Sequence, residues 1–229
     1  MYSILHDEER DKEAYTFPSP CTSASRVILC TIWKACVPSA CMEMIDTAWT
    51  VLDGAPSSGK TTTILALSRK GLRIVPEVAR AHVEMELARG HPLSSIRGDQ
   101  RAFQASVIAL LIERESRLPP SAPVILDGAL PGCSAHSRLH HLHGLTDPLA
   151  MHVRRYAHIF LLDRLPFEKD HVRTENEEMA IFLDRAIEDA YRSLGYFPIR
   201  VPIMTPQERA TFILERMTTL HENVHACAH

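Results

Sequence analysis

From Ala48 onward, apolar positions fall into two alternating rhythms. Short, nearly continuous apolar runs occur at AWTVLD (48–53), GLRIVP (71–76), VILD (124–127), HIFLLD (158–163) and IRVP (199–202). Runs of this length, rich in Val, Ile and Leu, predict strands buried on both faces, as in a parallel sheet. Between them lie longer stretches with helical spacing: KTTTILALSRK (60–70), VARAHVEMELARG (78–90), DQRAFQASVIALLIERESRL (99–118), EMAIFLDRAIEDAYRSLG (178–195) and TPQERATFILERM (205–217). Alternation of this kind predicts an α/β fold, with five parallel strands and helices on both faces. Pro119 and Pro120 end the third helix, Gly195 is placed to stop the fourth, and Thr205 with Glu208 has capping-box spacing for the fifth.

The remaining segments lack such a period. A Gly/His-rich loop is expected between VILD and HIFLLD, and a charged loop at FEKDHVRTENEE (167–178). Residues 1–43 follow neither rhythm and contain the turn-prone FPSPCTSAS, so they read as an irregular extension. The domain is therefore assigned to residues 44–220, with a His-containing tail at 221–229.

The turn between the first strand and the first helix reads GAPSSGKT and fits the pattern GxxxxGK(S/T). A strand–loop–helix context lets backbone N–H groups turn onto phosphate oxygens, with the positive end of the helix behind them. Gly54, Ala55, Pro56, Ser57, Ser58, Gly59, Lys60, Thr61 and Thr62 are the expected nucleotide-binding residues. Lys60 would reach the β- and γ-phosphates, and the Thr61 hydroxyl would hold Mg²⁺.

Carboxylates leaving the other strands face the same crevice, because open α/β sheets bind ligands at the C-terminal ends of their strands. Asp127 ends VILD and is the second expected Mg²⁺ residue; Asp163 ends HIFLLD but precedes RLP and reads as a turn or structural group. Glu77, in VPEVAR, is placed to take the proton of an acceptor hydroxyl, with Arg80 steadying transferred charge. A helix N-terminal Glu paired with an Arg three residues on is the plainer alternative for these two. Arg173, in the charged loop, would close over the phosphates as part of a lid.

Composition narrows the partners. The net charge of -3 provides no basic field for nucleic acid or an anionic membrane surface, which leaves small molecules or protein. The apolar run VILCTIWKACVPSACM is broken by Lys34 and Pro38, so no membrane span is expected. The six cysteines, at 21, 30, 36, 41, 133 and 227, form no CxxC pair and read as reduced thiols of a cytoplasmic protein. His221, His225 and His229 have i, i+4, i+8 spacing, but they read as an unliganded tail rather than a metal site.

Taken together, GAPSSGKTT, VPEVAR, AFQ, VILDG, KDHVRTENEE, AYRSLGYFPIRVP and PQERATFIL resemble a particular P-loop group over about residues 48–217. It contains the nucleotide-kinase domain of the NadR-type nicotinamide riboside kinases and the AAA_28 domain also found in the TRPL translocation defect protein. The resemblance implies a nucleoside-kinase-like P-loop fold and binding of ATP or GTP with Mg²⁺. It also implies that Glu77 and Arg80 face an acceptor, that Arg173 belongs to the lid, and that Gln104 reads the acceptor's base. The chain departs from the group at three places. Gly128 stands where an arginine usually follows the aspartate, Gly132 replaces a later aspartate, and His136 replaces a tyrosine. Arg138 is the nearest sequence candidate for the missing guanidinium. The expectation is a Mg-dependent ATPase or small-molecule kinase, with a nucleotide-dependent switch of little transfer activity as the alternative.

Overall fold

The computed structural model describes residues 44–142, 144–145, 154–165 and 177–226. Its centre is a five-stranded parallel sheet in the order β3–β4–β2–β6–β7. These strands are β2 (Trp49–Asp53), β3 (Ile74–Val75), β4 (Val124–Asp127), β6 (His158–Leu162) and β7 (Ile199–Val201). All five match the apolar runs, though GLRIVP contributes only two ladder residues. A separate two-stranded parallel ribbon pairs β1 (Ile45–Asp46) with β5 (Arg154–Arg155), and no apolar run announces it.

Side chains alternate along each strand, and both faces are apolar. Trp49, Val51, Val124, Leu126, Ile159 and Leu161 enter one core, whereas Leu52, Ile125, Phe160, Leu162 and Val201 enter the other. Alternation with both sides buried is what covering helices on each face require. The smaller core is closed by α1 (Lys60–Arg69) and α7 (Pro206–Ala226). The larger is closed by α2 (Val78–Ala88), α4 (Gln100–Arg117), α5 (Leu130–Leu139) and α6 (Glu177–Ser193), and α3 (Leu93–Gly98) precedes α4.

Predicted helix ends are supported by their caps. Asp99 accepts from Ala102 N at 3.0 Å at the start of α4. Thr205 and Glu208 make the reciprocal capping box of α7, with Thr205 N to Glu208 Oε2 at 2.9 Å and Glu208 N to Thr205 Oγ1 at 3.3 Å. Gly195 lies just past α6 in the left-handed region. Helix α7 continues past Met217 to Ala226.

One expectation fails. The segment LPGCSAHSRL, read as part of a Gly/His-rich loop, is helix α5. Its composition is poor for a helix, but Pro131 sits in the first turn, where its missing N–H costs nothing. Leu130, Ser134, Ala135 and Ser137 are buried in the packed structure. Tertiary burial stabilises a helix that local propensity does not favour. Among the described residues no helix is long and apolar enough to cross a membrane.

Candidate functional site

The strand order brings the predicted residues together. The chain leaves β2 for β4 and β3 on one side, then for β6 and β7 on the other, so the crevice opens at the C-terminal end of β2. Parallel register aligns Leu52 with Asp127 and Val75 with Leu126, which brings the loops after β2, β3 and β4 side by side. They line one cleft of about 680 Å³, with Gly54 to Thr62 on one wall and Glu77, Arg80, Gln104, Asp127 and His136 among the rest.

The loop before α1 has a geometry suited to anions. Ser57 and Gly59 take φ values of 64° and 80°, and Ser58 N closes a turn on Ala55 O at 3.2 Å. No side chain of the N-cap residue, Gly59, covers the first amides of α1, and that turn contains no acidic residue. Uncapped amides and an unopposed helix dipole attract negative charge. The three threonines of α1 differ. Thr62 and Thr63 hydroxyls donate to Gly59 O at 2.8 and 3.0 Å, whereas Thr61 is exposed on the cleft wall.

Lys60 lies between two carboxylates, with Nζ 3.9 Å from Asp53 Oδ1 and 3.9 Å from Asp127 Oδ1. Burial pulls its pKa down, but Asp53, Asp127 and Glu77 outweigh that pull and hold it above the ordinary lysine value. The charge balance acts oppositely on Asp127, whose carboxyl rises to about 6. Burial is the main cause; Glu77 and Asp53 add to it and Lys60 opposes. Asp127 Oδ1 is buried without a hydrogen-bond partner among the described residues.

Glu77 caps no amide with its side chain, although it stands at the N-cap of α2. Its Oε2 lies 3.9 Å from Arg80 Nε, so the plain i, i+3 pair exists, and both residues also line the cleft. Gln104 is buried, and it lines the cleft together with its neighbour Phe103. Arg138, the sequence candidate for a guanidinium near the phosphates, is exposed and does not line the cleft. Arg173 lies outside the described residues. Asp163 has the structural placement expected of it: its carbonyl accepts from Arg209, and its carboxylate lies 3.5 Å from Arg200.

Three residues of the site escaped the sequence reading. Asp53 is 5% exposed; its Oδ1 accepts from Gly54 N at 2.8 Å, and its Oδ2 accepts from the Tyr191 hydroxyl at 2.9 Å. It ends a buried strand, the same signal that singled out Asp127. Arg209, 2% exposed, donates to the carbonyls of Ser58, Asp163 (3.0 Å) and Pro202 (2.9 Å), tying α7 to the phosphate loop and to the ends of β6 and β7. Its signal was a charge on the apolar stripe of a helix, four residues before Ile213. Tyr191 carried no signal beyond its place on the apolar face of α6.

Gly132 packs directly against Asp53. A Cβ there would stand 2.2 Å from Asp53 Oδ2, closer than any real contact. Residue 132 therefore has no room for a side chain while Asp53 keeps its place.

Several solved structures are similar to this architecture. A deoxyadenosine kinase from M. mycoides, solved with dCMP and dCDP, is similar at 12% identity and a TM-score of 0.52, over 75% of this chain and 99% of that one. NadR, solved with NAD and AMP-PNP, is similar at 18% identity and a TM-score of 0.55, over 76% of this chain. NadR with NR gives 18% and 0.53. The chain spans half the length of NadR. No curated protein sequence matches it. At these identities the likeness establishes the fold alone, a five-stranded parallel sheet with helices on both faces. The AAA_28 model, an AAA domain, matches residues 49–209, and the chain belongs to that family.

Proposed function

We propose that the chain binds ATP or GTP with Mg²⁺ and transfers the γ-phosphoryl group to a small hydroxyl acceptor, such as a nucleoside or riboside. The observation that carries this reading is the continuity of the cleft. One cleft is lined by the phosphate loop, by Glu77 and Asp127, and by Phe103, Gln104, Val107 and Leu111. Apolar and amide side chains of that kind suit the flat face and edge of a base or a similar ring.

The backbone N–H groups between Gly54 and Thr62, which Pro56 lacks, and the Lys60 ammonium hold the phosphates and offset charge that builds as the bridging P–O bond breaks. The Glu77 carboxylate takes the acceptor's proton as its oxygen bonds to phosphorus. Thr61 and Asp127 suit a hard cation. One offers an exposed hydroxyl, and the other a buried carboxylate oxygen with no hydrogen-bond partner among the described residues. When bound, Mg²⁺ would screen the phosphate charges and orient the terminal group. Gln104 would meet the acceptor's base, and Arg173 would contribute from the lid.

One observation favours a second reading, a nucleotide-dependent switch. Residue 128, next to Asp127, is glycine, and Arg138 does not line the cleft, where the described arginines are Arg80 and Arg97. Single-turnover chemistry with labelled ATP and GTP against nucleosides and ribosides separates the two. Labelled acceptor that disappears in Glu77→Gln, with nucleotide affinity retained, supports the kinase. Tight binding with neither labelled acceptor nor free phosphate supports the switch. Wild-type affinity and turnover in Lys60→Ala would refute the site itself.

A further inference from the structure

Arg114 lies on α4 behind the cleft, and its side chain is 9% exposed. Nη1 donates to Pro76 O at 3.0 Å, and Nη2 donates to Gly128 O at 3.1 Å. Pro76 immediately precedes Glu77, and Gly128 immediately follows Asp127. One planar group therefore spans the C-terminal ends of β3 and β4, the two strands that deliver the carboxylates assigned to transfer and to the metal.

The guanidinium is itself braced. Glu115 Oε1 lies 3.9 Å from Nη2, and both Glu115 carboxylate oxygens accept from the Tyr156 hydroxyl at 3.1 Å. Gly128 cooperates through its backbone, with φ of 71°, while its carbonyl accepts from Arg114. An L side chain is strained in that region, so the glycine and the clamp go together. The phosphate loop is held separately, by Arg209 from α7.

We propose that Arg114 is a positioning residue: by pinning the Pro76 and Gly128 carbonyls it sets the placement of Glu77 and Asp127, independently of the phosphate loop. It touches neither ligand, for it is absent from the cleft wall. A rigid fork can bond two carbonyls at once, whereas an ammonium is a point donor. Its consequence for turnover rests on the phosphoryl-transfer reading; its consequence for the loops does not.

The test compares wild type, Arg114→Ala and Arg114→Lys. Nucleotide affinity in EDTA is expected to stay within about twofold of wild type in both. The tightening produced by added Mg²⁺, and the transfer rate at saturating nucleotide, are expected to fall roughly 10- to 100-fold, the usual effect of losing a partner behind a metal ligand. Ethylguanidine should restore part of the loss in Arg114→Ala and nothing in wild type. Hydrogen exchange of the empty proteins should quicken at 77–80 and 127–130 but not at 54–61. Unchanged Mg²⁺ tightening in a folded Arg114→Ala would overturn the proposal. So would parallel losses with and without metal that no guanidine rescues, which is the signature of general destabilisation. If wild type binds Mg-nucleotide without transfer, the kinase reading fails while the Mg²⁺ comparison still decides the clamp. If wild type binds no nucleotide, or Arg114→Ala does not fold, exchange in Arg114→Lys decides it: unchanged loop amides refute the clamp.

Discussion

Gly132→Ala offers a direct check on the claim that Asp53 leaves no room for a side chain at residue 132. The added methyl would stand 2.2 Å from Asp53 Oδ2 and 3.2 Å from its Cγ, about 1 Å inside ordinary contact for the oxygen. Asp53 cannot swing aside freely, since Gly54 N and the Tyr191 hydroxyl hold its two oxygens at 2.8 and 2.9 Å. Overpacking costs about 1–3 kcal/mol, and breaking a hydrogen bond to a charged acceptor costs about 1.5–3 more. Alanine for glycine within a helix returns only about 1 kcal/mol. The net expectation is about 1.5–5 kcal/mol of destabilisation, or roughly 3–20 °C in melting temperature for a domain of this size. Asp53→Ala alone strands the buried Tyr191 hydroxyl and is also destabilising. In the double variant the clash has no partner, so the two costs should fall short of additivity by about 2 kcal/mol. Urea unfolding of all four proteins measures the cycle. A Gly132→Ala protein within about 0.5 kcal/mol of wild type, or costs that simply add, would refute the reasoning.

Three further outcomes follow from the same geometry. Asp127 binds its proton more tightly folded than unfolded, because its carboxyl is raised from 3.8 to about 6. Stability should therefore fall by at most about 3 kcal/mol as pH rises from about 4 to about 6 and stay at that lower level above. Asp127→Asn should remove that slope and be the more stable protein at pH 8; equal unfolding free energies there would count against the raised pKa. Arg209→Ala leaves three carbonyls without their charged donor, and nucleotide affinity should drop about tenfold or more, read by calorimetry. Wild-type affinity in a folded Arg209→Ala would show that the phosphate loop needs no such tie. Gly128→Arg meets open space at Cβ but carries left-handed strain of about 1–2 kcal/mol. If the absent guanidinium limits transfer, single-turnover rates should rise despite the lower stability, and an unchanged rate in the folded variant would locate the limit elsewhere.

The phosphate loop and the five strands were legible in the sequence because each is local. GAPSSGKT is contiguous, and a strand buried on both faces must be apolar at nearly every position. Glu77, Arg80, Gln104 and Asp127 could be proposed one at a time, from their places after strands or by resemblance. Only the parallel register, which sets Asp127 beside Leu52 and Val75 beside Leu126, put their loops on one cleft. Helix α5 was missed because its stability comes from packing rather than from its own residues, and the β1–β5 ribbon because two-residue strands have no period. Asp53, Arg114 and Arg209 lay deeper still. Their partners are Tyr191 for the first, the carbonyls of Pro76 and Gly128 for the second, and those of Ser58, Asp163 and Pro202 for the third. Backbone carbonyls are the same at every residue, so no sequence pattern distinguishes the ones a distant guanidinium will reach; that choice is made only when the strands have been laid side by side.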